Sequence, residues 1–495
     1  MLRTIRIVFA LLFLFAATAL FLDFTGTVHA WLGWVARVQL LPAIMAMNVV
    51  VIASLILLTL LFGRIYCSVI CPLGVMQDVF AEFGKMAKKN RYSYSPANNV
   101  MRYAFLVLMI LSMIFGVAYI TTLLAPYSAF GRIVQSLFGP LWQMGNNVLA
   151  SMAERWDSYA FYEKDVWIRS GIVMGVAAVT LVALGILAWR NGRTYCNSVC
   201  PVGTSLGFLS RWSLFRPVID KSKCNGCGLC ARNCKSACID SKSHRIDLSR
   251  CVACMDCIGK CHKNAISYRP AFAMSTDSRP VAAADSFDDS GISRRKFLGL
   301  TALFATIGVA KSVAQKVDGG LAAIEDKKIP LRRSRIVPPG AQGHRNVERH
   351  CTGCQLCVAV CPNDVLRPGG DLTRALQPEC SYERGYCRPE CTRCSEVCPA
   401  GAIKRIDVAE KSSTQIGHAV WIKENCVPLT DGVECGNCAR HCPVGAIQMV
   451  PQDGTPSIPA VDTERCIGCG ACENLCPSRP FSAIYVEGHE RHRTV

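Results

Sequence analysis

A group of four cysteines separated by two, two and three residues recurs along this chain, and that spacing restricts the possible folds more than any other feature. It occurs at Cys224, Cys227, Cys230, Cys234 and again at Cys251, Cys254, Cys257, Cys261. It returns at Cys351, Cys354, Cys357, Cys361 and at Cys466, Cys469, Cys472, Cys476. Two further groups stretch the first gap: Cys387, Cys391, Cys394, Cys398 and Cys426, Cys435, Cys438, Cys442. The 30 cysteines among 495 residues are far more than ordinary usage supplies, so they need a chemical reason of their own.

The spacing is that of bacterial ferredoxins, in which three thiolates on a tight loop reach three corners of one [4Fe–4S] cubane while the fourth serves a neighbouring cluster. Structural zinc normally separates two Cys-x₂-Cys knuckles instead of compressing four ligands into one short loop. Disulfides are the competing reading for an exported segment, but the 17 cysteines beyond residue 345 are odd in number and repeat the ferredoxin spacing. All 24 grouped cysteines are therefore candidate ligands, as iron ligands of six [4Fe–4S] clusters. The first two groups pair, Cys234 serving the second cluster and Cys261 the first. Among the last four, the outer two are compact and the inner two stretched, which hints that outer pairs with outer, adjacent pairing remaining open. Cys238 takes the small apolar position that alanine fills in CPAGAI, and Cys387 is preferred over Cys380 as a ligand because it lies nearer the compact loop.

Four segments outside these groups are strongly apolar. Segments 5–22, 38–62, 101–124 and 167–189 are each long enough to cross a bilayer. The first, opening with Arg3 and Arg6, also fits a cleavable signal; either way the second enters from outside. Loop 63–102 carries Arg64, Lys85, Lys88, Lys89, Arg91 and Arg102, whereas loop 23–37 carries Arg37 alone. Positive-inside then puts the amino terminus, loop 63–102 and residues 190–296 in the cytoplasm. The formal charge of +18 falls to about +6 once each cluster with its thiolates contributes two negative charges. No nucleic-acid motif accompanies the basicity, and no nucleic-acid partner is expected.

The expected order is a four-helix membrane domain (1–215), a dicluster ferredoxin domain (216–272), a polar linker (273–292), a signal-like helix (293–314), a second linker (315–345), a four-cluster domain (346–486) and a solvated tail (487–495). The fold class is thus a membrane α-helical bundle of four long helices and a short fifth, with α+β ferredoxin-like domains. The short fifth helix, SRRKFLGLTALFATIGVA, sets Arg294 and Arg295 before an apolar run, as a twin-arginine export signal does. Ser312-Val313-Ala314 resembles a cleavage site, but the segment is read as a retained fifth anchor that sends the last domain outward.

GRIYCSVICPLG (63–74) and GRTYCNSVCPVG (192–203) share G-R-x-Y-C-x-x-x-C-P-x-G, each following an even-numbered apolar segment, which marks a duplicated unit. Their cysteines, Cys67, Cys71, Cys196 and Cys200, could bind a metal jointly, form reversible disulfides, or be buried thiols. There is no Cys-x-x-Cys-His site, no histidine pair in the apolar segments and no glycine-rich nucleotide loop after a strand, so haem, flavin and nucleotide are not expected.

On these motifs residues 1–270 resemble the NapH family of membrane ferredoxins, and residues 291–486 resemble the NapG and MauM family of exported polyferredoxins. The resemblance implies oxidation of membrane quinol at a site including Cys67, Cys71, Cys196 and Cys200. It implies delivery of electrons through the clusters to a periplasmic partner, a molybdoenzyme such as nitrate reductase or a cytochrome. It implies the bacterial inner membrane, with the two-cluster domain cytoplasmic and the four-cluster domain periplasmic. Two alternatives stand beside it: a conduit from a cytoplasmic donor without quinol chemistry, and a copper-handling role in oxidase assembly.

Overall fold

The computed structural model describes residues 2–87, 92–158, 160–273, 326–370, 376–452 and 455–494. The expected signal-like segment 293–314 lies outside the described residues, as does nearly all of the linker before it. Leu2–Leu22 and Gly171–Asn191 are helices of 21 residues each. At 1.5 Å per residue each is about 31 Å long, enough for a bilayer core. Both are apolar enough to cross a membrane.

The other two expected spans are broken, so among the described residues there are two long apolar helices where four were expected. Residues 38–62 divide into Leu40–Met45 and Val49–Phe62, because Met47 turns left-handed at φ 52° and the Asn48 side chain then caps the second helix through the Val51 amide at 3.3 Å. Residues 101–124 divide at Gly116, whose φ of 71° ends Asn99–Phe115 before Ala118–Leu124 begins. The expected loop 125–166 holds helices instead, Pro126–Ile133 and Gly139–Glu154, joined by a π-helical turn at Val134–Phe138.

The two cysteine-rich units sit at opposite ends of these helices. At one end Arg3 pairs with Asp256 at 2.8 Å, Phe62 O accepts from the Tyr268 hydroxyl at 2.8 Å, Arg102 donates to Ser249 O, and Arg193 N donates to Lys235 O. At the other end Arg37 donates to Glu396 O, Arg169 pairs with Asp364 at 2.9 Å, and Gly131 packs on the Cys354 carbonyl. The helices therefore alternate in direction between the units. Arg64 and Arg102, counted as loop charges on the sequence, are buried in the seam with the first unit, where carbonyls attract them.

The first unit pairs Phe215–Ile219 with Ile266–Pro270, antiparallel. The last unit is larger than expected. Residues 327–343, read as linker, belong to it: Lys327 donates to the carbonyls of Glu473, Asn474 and Cys476, and Ile336 and Val337 are buried. The tail is no solvated end either. It completes strand Ile484–Thr494, which pairs antiparallel with Thr414–Trp421, since its alternating residues find an edge to add to.

Candidate functional site

The cysteine groups fold into compact sets. Cys224, Cys227, Cys230 and Cys261 line one cavity of about 160 Å³. Cys251, Cys254 and Cys257 face Cys234. In the last unit Cys387, Cys391 and Cys394 share a cavity with Cys361, and Cys426, Cys435 and Cys438 share one with Cys476. Cys351, Cys354 and Cys357 face Cys398, while Cys466 and Cys469, joined by Cys472, face Cys442. Neighbouring groups along the chain thus exchange their fourth cysteine, and the outer groups do not pair with each other. The turn after each third cysteine carries the fourth only as far as the adjacent loop.

The donor chemistry fits anionic sulfur. Backbone amides aim at Sγ atoms from Ala265 to Cys261 at 3.3 Å, Gly353 to Cys351 at 3.4 Å, Ile403 to Cys398 at 3.4 Å, Ala446 to Cys442 at 3.2 Å and Ala483 to Cys476 at 3.3 Å. Among the described residues no three Cys, His, Asp or Glu side chains close around the volume of a single metal ion. A cubane holds its ligands at separate corners, so its cysteines stand further apart. Cys238 and Cys380 are buried beside two of these sets: Cys238 Sγ lies 3.5 Å from Cys234 Sγ, and Cys380 lines the Cys387 cavity.

The sets follow one another in space. Cys227, exposed, belongs to the set away from the bundle, and Cys254 packs against the bundle core. At the far end Cys354 is part of that same core. Cys387 N then donates to Cys469 O at 2.9 Å, linking the middle sets of the last unit.

Between the two units lie the repeated motifs, and their geometry explains most of the shared positions. Gly63 and Gly192, at φ 69° and 67°, end the preceding helices. Pro72 and Pro201 occupy the first turn of the next ones, where a missing N–H costs nothing. The two arginines cross over: Arg64 donates to Cys196 O at 3.2 Å, and Arg193 to Cys67 O at 2.5 Å. Each crossing requires a glycine. A Cβ on Gly74 would stand 2.3 Å from Cys67 O and 2.7 Å from Arg193 Nη1; on Gly203 it would stand 2.2 Å from Cys196 O and 2.7 Å from Arg64 Nη2. The tyrosine of the first motif is held by Gln39, whose Oε1 accepts from Tyr66 at 3.0 Å.

This crossover brings Cys67, Cys71, Cys196 and Cys200 together, each no more than 5% exposed. Every pair among the four thiols is within electrostatic reach. Gly203 N aims at Cys200 Sγ at 3.4 Å, and Arg64 Nη2 lies 3.8 Å from Cys67 Sγ.

Sequence reasoning missed the carboxylate that anchors this centre. Asp78 accepts from Arg6 at 2.9 Å and from Arg193 Nε at 2.9 Å, and Lys235 of the first unit stands 3.7 Å away. Burial pushes its carboxyl up, but Arg193 and Lys235 outweigh it and hold the pKa below the ordinary range. Asp256 behaves alike, burial opposed by Lys235 and Arg3 with a net lowering. The available signal was an acidic residue just beyond the first motif in an otherwise apolar run.

Residues 44–91 and 170–219 match a family described as a 4Fe-4S binding domain, residues 347–367 another of that description, and residues 433–479 a 4Fe-4S dicluster domain. The chain is 24% identical over 311 residues to YccM of Escherichia coli, whose name assigns it to electron transport; the match covers 60% of this chain and 76% of YccM. It is 34% identical over 101 residues to MJ0749 of Methanocaldococcus jannaschii, covering 20% of this chain and 40% of that relative. No solved structure matches. With the ferredoxin-type protein NapG of Escherichia coli it shares 30% identity over 176 residues, 32% of this chain and 75% of NapG. On that likeness and its cluster domains, the chain belongs to the ferredoxin-type family of NapG and is an iron–sulfur electron-transfer protein.

Proposed function

We propose that this chain works in the bacterial inner membrane, taking electrons from quinol and passing them one at a time to a periplasmic partner, a molybdoenzyme such as nitrate reductase or a cytochrome. One observation carries the reading: two cysteine-rich units occupy opposite ends of the same apolar bundle, with the repeated cysteines buried between them. The bundle also turns large apolar side chains outward, among them Val107, Leu111, Phe115, Val179, Val182 and Ile186, as a lipid-facing surface does.

When bound, six [4Fe–4S] clusters supply one-electron carriers. The residues of the chain hold them. Cys224, Cys227, Cys230 and Cys261 hold the first, and Cys251, Cys254, Cys257 and Cys234 the second. Cys351, Cys354, Cys357 and Cys398 hold the third, Cys387, Cys391, Cys394 and Cys361 the fourth. Cys466, Cys469, Cys472 and Cys442 hold the fifth, and Cys426, Cys435, Cys438 and Cys476 the sixth. The basic end, with Arg3 and Lys85, faces the cytoplasm. Cys67, Cys71, Cys196 and Cys200 form the buried redox centre that quinol oxidation feeds. The exposed loop 431–434, beside Cys435, presents the outermost set to the partner.

Quinol added to membranes holding the full chain and its partner bleaches the iron–sulfur absorbance under this reading. Intact clusters that stay oxidised would overturn it. The exposure of Cys227 favours a second reading, entry from a cytoplasmic protein donor. That reading requires rapid cluster reduction by a low-potential donor in quinone-free membranes.

A further inference from the structure

The two segments matched by a 4Fe-4S binding family, 44–91 and 170–219, contain only two cysteines each, half the ligand set of one cluster. The structure brings the halves together, through the reciprocal crossing of Arg64 and Arg193. We propose that Cys67, Cys71, Cys196 and Cys200 jointly hold a seventh iron–sulfur cluster, shared between the two repeats, which relays electrons between the units. This goes beyond the quinol reading and stands whichever donor feeds the chain.

Charge supports it. Arg64 is fully buried and, among the described residues, contacts no carboxylate: it donates to Asn197 Oδ1, to the carbonyls of Ser249 and Cys196, and toward Cys67 Sγ. Arg132 is fully buried too, donating Nη1 to Thr122 O at 2.7 Å while its Nε and Nη2 have no hydrogen-bond partner there. Arg132 stands within electrostatic reach of both Tyr195, which precedes Cys196, and Cys354. Buried cations without counter-charge are costly. Cys251 and Cys354, ligands of the flanking sets, lie within electrostatic reach of Arg64 and Arg132 respectively, and four neutral thiols or two disulfides between them add no further negative charge. Four thiolates around an iron–sulfur core carry net negative charge beside Arg64, whose Nη2 lies 3.8 Å from Cys67 Sγ. The two flanks match the relay: Arg64 also contacts Ser249 O, two residues before Cys251, and Arg132 faces Cys354. An electron arriving from one flanking set reduces the centre and leaves to the other, with no bond made or broken and no proton moved.

The test is iron and acid-labile sulfide per chain in the purified full-length holoprotein, with spin counting after dithionite titration. The proposal expects iron in excess of six cubanes by the content of one further cluster, and one additional reducible spin. The variants Cys67→Ser and Cys196→Ser, in different repeats, each lose that same increment and keep the other signals. Iron equal to six cubanes in the wild type overturns the proposal, as do zinc or copper held by these cysteines or a disulfide between them. The wild-type count needs no variant to fold. Quinol-dependent bleaching is scored separately, so failure of the quinol reading leaves this count untouched.

Discussion

The two cysteine-rich units use one spacing rule but are supported differently. The buried core of the first consists of Ile219, Cys230, Ala231, Cys234, Cys238, Ile239 and Ile266, nearly half of it cysteine. The last unit buries Ile336, Val358, Tyr382, Ile403, Ile416, Ile447, Ile484 and Val486 among its cysteines, and closes on the pairing of Thr414–Trp421 with Ile484–Thr494. The first unit takes what it lacks from the bundle: Arg64 and Arg102 donate to Ser249 O, Arg3 pairs with Asp256, and Lys235 reaches Asp78. A shared ligand grammar therefore says little about how independent a ferredoxin unit is.

Stripping iron with a chelator should break the comparison most sharply. Metal binding in such small units is folding free energy, on the order of 10 kcal/mol per structural site. Hydrogen exchange should show loss of amide protection at Ile219 and Ile266, while Ile416 and Val486 in the longer strand pair keep part of theirs. Equal loss in both units would remove the distinction. Next in size is Asp78→Asn, which leaves Arg6, Arg193 and Lys235 without their shared carboxylate, at a cost of about 3–5 kcal/mol. Thermal denaturation in detergent should show the bundle and first unit destabilised together, with the last unit's transition unmoved.

Gly74→Ala and Gly203→Ala come third, each about 1–3 kcal/mol from overpacking against a carbonyl and an arginine. Similar losses for the two variants would sharpen the repeat symmetry. Gly145→Ala, where nothing lies within 4 Å of the added Cβ, serves as the neutral control. The smallest effect belongs to Asp364→Asn at the far seam, where Arg169 and Lys164 pair with a partly exposed carboxylate, about 1 kcal/mol. It should loosen the last unit from the bundle, measured by limited proteolysis, without lowering either unit's iron content.

The cysteine groups, the repeat and the apolar segments were legible because each is a local pattern. Helix breaks at Met47 and Gly116 were not, since continuous hydropathy hides a single left-handed residue. The helices at 126–154 were missed because their partners, Phe21 and Cys354, are distant in sequence. Residues 327–343 look like linker until Glu473 and the carbonyls of Asn474 and Cys476 supply hydrogen-bond partners for Lys327 and Arg332. The exchange of fourth cysteines between neighbours likewise depends on how loops pack. Spacing pointed to the exchange in the first unit and left the pairing of the last four groups open.

The central claim is that electrons pass through the bundle from one unit to the other. It is tested most directly in sealed proteoliposomes holding the fully loaded chain, with a membrane-impermeant reductant outside and an impermeant acceptor enclosed. The account predicts reduction of the enclosed acceptor that depends on the protein and falls sharply in Cys67→Ser and Cys196→Ser. An enclosed acceptor that stays oxidised while the clusters facing the reductant are reduced would contradict it.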